Sequence, residues 1–91
     1  MLDNLRHYLL QEMVCQGKAV QQFAVINLKS GNQPDILAGE LASFDMAWTL
    51  AKNLQDNSGY NQLLIADGFF HGPKMLHDWQ VLCCLDRKSV V

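Results

Sequence analysis

The sequence predicts an α+β domain, a two-layer sandwich in which a four-stranded, mostly antiparallel sheet carries helices in the order α-β-β-α-β-β. Three observations predict it. Apolar residues recur at helical spacing near the start and again in the middle. Two stretches rich in β-formers, each broken by a turn cluster, flank the middle helix. Strands therefore come in adjacent pairs, which favours hairpins over the alternation that makes a parallel sheet. The chain has 91 residues, 49% hydrophobic and 18% charged, enough for one domain over 1–91 with one core. Its charged share lies below the usual globular value of about 25%, so some apolar surface is expected to meet a partner.

The first helix is expected from about Leu2 to Gln16, with Leu2, Leu5, Tyr8, Leu9 and Met13 forming the buried stripe and Gly17 stopping it. Leu10, Val14 and Cys15 widen its apolar side, as if more than one face were covered. Val20 to Leu28 reads as a strand, Lys29-Ser30-Gly31-Asn32 as a turn using the positive φ open to Gly31, and Asp35 to Leu41 as the returning strand behind Pro34. The second helix has the clearest period: Phe44, Ala47, Trp48, Ala51 and Leu54 on one side, with Asp45, Thr49, Lys52, Asn53 and Gln55 on the other. Ser43 is its cap, Asp45 suits the positive end of its dipole, and Asn57-Ser58-Gly59 ends it. Gln62 to Phe70 is read as the third strand, with Gly68 marking a bulge or an early end. Gly72-Pro73 is a turn. Met75 to Leu85 is read as one long strand placing Trp79, Val81, Cys83 and Leu85 on a shared face, and 86–91 as a tail. Strand order is not legible at this level. The sheet face away from the second helix is left to the N-terminal helix or to a second copy of the chain.

The totals also exclude classes of function. A formal charge of −2, a pI near 5.8 and singly scattered cations give no basic stripe, so nucleic-acid binding would require Lys18, Lys29, Lys52, Lys74 or Arg87 to be gathered by the fold. Three cysteines, two of them the adjacent Cys83 and Cys84, make a poor disulfide framework and point to a reducing compartment. With no leader-like segment and no long apolar run, the cytoplasm is the expected location, and no membrane role is expected.

Four residues of the second hairpin, Asp67, His71, His77 and Asp78, bring imidazoles and carboxylates together and supply an enzyme or metal-binding alternative. Their spacing lacks the helical His-x-x-x-His that would fix two rings on one ion, so no catalytic residue, metal ligand or cofactor is assigned. Phe69 and Phe70 are consecutive in a strand and cannot both face one core. With His71 and Trp79 they form the candidate binding patch. Cys83 and Cys84 point to opposite faces and read as inert thiols. The terminal Ser89-Val90-Val91 has the loose form of a tail captured by strand addition, which a frayed end explains as well. Gly39 to Leu54, with Gly-x-Leu-x-Ser-Phe-x-x-Ala running into a helix, resembles the strand-to-helix passage of SPOR peptidoglycan-binding domains. Neither a second helix between the later strands nor an export signal accompanies it, so that function is not carried over. The expectation is a small non-enzymatic interaction or regulatory module, homodimeric or bound to a protein partner through an apolar sheet or hairpin surface.

Overall fold

The computed structural model describes residues 2–28 and 34–86. The expected Gly31 turn and the terminus beyond Asp86 lie outside them. The fold is α+β: α1 (Leu2–Cys15), β1 (Val20–Asn27), β2 (Asp35–Leu41), α2 (Phe44–Ser58), β3 (Gln62–His71), β4 (Lys74–Met75) and β5 (Gln80–Asp86). The sheet is antiparallel throughout. β2 pairs with β1, β1 with β3, and β3 on its far side with both β4 and β5. β2 and β3 are thus joined by α2 across the intervening β1.

α2 begins and ends as its residues dictate. Ser43 is extended (φ −147°, ψ 160°) and its Oγ accepts the Met46 N–H at 3.2 Å, satisfying one of the donors a helix start leaves open. Gly59 closes the helix in the left-handed region at φ 74°, where a Cβ would be strained.

The β1–β3 ladder is continuous from Val20↔Phe70 to Asn27↔Leu63, so residue parity assigns faces without ambiguity. Odd positions carry both helices. Val25, Leu63 and Ile65 pack with Ala47 and Ala51 of α2, while Ala19 and Phe69, at the other end of the same face, pack with Leu10 of α1. Even positions form the third cluster, Ala24, Ile26 and Ala66 with Leu64 and Trp79, to which no helix residue belongs. Both helices therefore sit on one face, in two layers.

Three expectations about side chains are corrected. The inward stripe of α1 is Leu10, Met13 and Val14, whereas Leu5, Tyr8 and Leu9 are each more than half exposed. Both sets have i, i+3, i+4 spacing, and one residue of offset turns a helix by about 100°. On α2 the buried line is Ala47, Ala51 and Gln55, with Leu50 and Leu54 beside it. Phe44 and Trp48 stack on each other at the flank, with centroids 6.2 Å apart. Gln55, expected outside, is buried because its amide donates to the Leu85 carbonyl at 2.6 Å. The long fourth strand is in fact two pieces. A register shift between Ile65↔Cys83 and Ala66↔Val81 leaves Leu82 as an extra residue. That bulge reverses the alternation. Cys83 and Leu85 keep to the α2 side, and Val81 and Trp79 turn to the other.

Candidate functional site

The helix-free face is the most distinctive surface of the fold. Along it the register places Ile36 beside Ile26, Ala24 beside Ala66, Leu64 beside Cys84, Ala66 beside Val81 and Phe70 between Val20 and Met75. Ala24 and Ala66 at its centre are hidden by larger neighbours. Around them Ile36 is 53% exposed, Val81 48% and Val20 58%. Of the residues that the register pairs onto this face, those with described side chains are all uncharged. Small monomeric proteins seldom leave a sheet face in that condition.

The aromatic patch divides between the two faces. Phe70 and Trp79 lie on the open one, tilted against each other with centroids 5.7 Å apart. The Trp79 ring covers Gly68, where a Cβ would come within 3.1 Å of it. Phe69 has odd parity and goes to the other side, 2% exposed beneath α1. Its expected part in a surface patch is corrected accordingly, since a residue in the core cannot touch a partner. His71 is exposed at the strand end, paired with Lys74.

Three of the four hairpin residues of the enzyme alternative border the same cavity. Asp67, His77 and Asp78 line one cavity of about 210 Å³ together with Leu10, Phe69, Trp79 and Gln80, and His71 is not among its lining residues. Asp67 is buried, its Oδ2 accepting the Gln21 side-chain amide at 2.8 Å. Among the described residues, no three His, Cys, Asp or Glu side chains are placed to hold a metal ion.

The thiols differ in setting. Cys15 on α1 and Cys84 on the open face are exposed, and Cys83 is half-buried. Burial, and secondarily the neighbouring Cys84, push the Cys83 thiol above its ordinary value of 9.0, against the opposing effect of a backbone hydrogen bond at Ile65. Lys18, Lys52 and Lys74 are exposed on three separate segments, after α1, on α2 and on β4. No helix of the described residues is long and apolar enough to cross a membrane.

Comparison with family models, with curated proteins and with solved structures gives no match. The Gly39–Leu54 resemblance accordingly remains a local pattern without functional weight.

Proposed function

We propose that this chain is a non-enzymatic interaction module that associates with a second copy of itself by stacking the helix-free faces of two sheets. The observation that carries the reading is the largely apolar face, from Ile36 across to Val81, whose described side chains are uncharged, with Gln22 and Gln62 as its polar members, and on which no helix side chain among the described residues packs. Water against such a face is costly at roughly 25 cal/mol per Å² of apolar area. Four strands about 4.8 Å apart and some 26 Å long present about 500 Å². Two copies would bury about 1,000 Å², near the lower bound of a specific interface.

An uncharged face suits a copy of itself, because a two-fold axis then brings no like charges together. The sheet's edges are less suited to strand addition. β2 carries two register irregularities, with Glu40 at φ 59°, and β5 carries the Leu82 bulge. Irregular edges interrupt the even row of donors and acceptors that an added strand requires.

Sedimentation equilibrium at high micromolar concentration tests the reading. A dimer is expected, and Ile36→Glu or Val81→Glu is expected to give a folded monomer, since both side chains are about half exposed. Thiol labelling adds a local readout: Cys84 should become protected as concentration rises while Cys15 keeps reacting. A strict monomer with Cys84 fully labelled at every concentration would remove the proposal.

A further inference from the structure

We propose that the groove between β2 and α2 binds a linear aliphatic amine of roughly eight carbons, its ammonium group at Asp45. The groove lies on the helix-bearing face, away from the surface assigned to the second copy. Its lining comes from two elements. On α2, Asp45, Thr49 and Asn53 recur every fourth residue, and so do Met46 and Leu50, which sets a polar row beside an apolar one along the helix. Leu41 of β2 completes it. Leu41 and Leu50 form the margin of the α2 core, and Met46 is 50% exposed. The space is about 490 Å³ with a mainly apolar wall. Small-ligand sites have the same character, roughly 300–1,000 Å³ of mostly apolar cleft with a few polar groups.

Length and charge select the occupant. From Asp45 to Asn53 the helix rises about 12 Å, which an extended hydrocarbon of roughly eight carbons spans. Asp45 is exposed, and of the lining residues it alone is charged. Glu40, which precedes Leu41 in the chain, is a second exposed carboxylate. A helix start commonly attracts anions through its open donors, but here the Met46 and Ala47 N–H groups both donate to Ser43, to its Oγ and its carbonyl, each at 3.2 Å. The charge left at this end is that of the carboxylate, and it favours a cation. An ammonium head brings three donors for carboxylate oxygens, and its stem covers Leu41, Met46 and Leu50. A lysine side chain carries the same head on a stem about half as long.

The test is a titration of the full chain with n-butyl-, n-hexyl-, n-octyl- and n-dodecylammonium chloride below micelle-forming concentrations, followed by backbone amide chemical shifts. Saturable shifts are expected at 41, 45–46, 49–50 and 53, with a Kd for n-octylammonium of about 10 mM or tighter. Affinity should rise about twofold per methylene up to octyl, half-burial in an open groove, and then level off because the groove ends. n-Octanol should bind about threefold more weakly and sodium octanoate about tenfold. Asp45→Asn should weaken n-octylammonium about threefold while leaving n-octanol unchanged, which a merely structural effect of the substitution would not do. Met46→Lys, at an exposed position, should weaken the amine about tenfold or more by placing a second cation beside the head. Ile36→Glu, on the opposite face, should leave the affinity unchanged, so the groove and the dimer fail separately. Octanoate binding as tightly as the amine would overturn the proposal. So would affinity that climbs undiminished to dodecyl, as simple partitioning does, or that is already level at butyl, as a lysine stem would give.

Discussion

Gly68 has almost no room for a side chain. A Cβ there would stand 2.9 Å from the Met75 methyl and 3.1 Å from the Trp79 ring. The methyl sits at the end of a flexible chain and can move, but the indole is backed by Phe70. Gly68→Ala is therefore expected to cost about 1 kcal/mol or more by overpacking, read as a lower urea midpoint with an unchanged slope. Gln55 is the polar counterpart. Its amide satisfies the Leu85 carbonyl at 2.6 Å, and Gln55→Leu, similar in size, would leave that carbonyl without this donor at a cost of about 1–3 kcal/mol. Gln55→Ala, which also opens a cavity, should be worse in the same measurement. Neither role is legible in the sequence. A glycine in a strand indicates that something approaches closely without saying what, and a glutamine at a helical spacing shared with alanines reads as solvent-facing until the strand that needs its donor is known.

At the scale of elements, α2 is where local chemistry and final structure agree most fully. Its cap, its acidic first turn and its glycine terminator all stand where the residue types require. Ser43→Ala should cost about 1 kcal/mol by removing the acceptor for the Met46 N–H, while Ser43→Asp should retain most of the stability in thermal melts. α1 shows the limit of such reading. Its apolar residues cover so wide an arc that two stripes compete, and the choice between Leu9 and Leu10 belongs to Phe69 and Ala19 on the sheet. The last strand fails differently. One extra residue at Leu82 inverts every side chain before it, and nothing in the run Gln-Val-Leu-Cys-Cys-Leu distinguishes a bulge from even pleating.

For the whole molecule, the arrangement of both helices on one face decides what the other face is for. Had α1 crossed over, Ala24, Ile26 and Ala66 would form the floor of a second core layer. Instead they lie at the centre of an open apolar sheet. If that face is closed by a second copy, association and folding are linked, and the melting temperature should rise with protein concentration. Differential scanning calorimetry over a hundredfold range of concentration checks this. Ile36→Glu should abolish the dependence, and a concentration-independent melting temperature for the unaltered chain would count against the dimer.

What the sequence alone determined is everything set by near neighbours along the chain: two helices, their order among the strands, the α2 cap and terminator, and the fact that Phe69 and Phe70 must part. These follow from dihedral preferences and side-chain periods that act within a turn or a hairpin. Tertiary structure alone decided which ring went inward, which stripe of α1 met the sheet, that β3 rather than β5 became central, and that Asp67, His77 and Asp78 share a cavity. The physical reason is that each of those outcomes turns on a contact between residues far apart in sequence, where alternatives of equal local merit are separated only by packing.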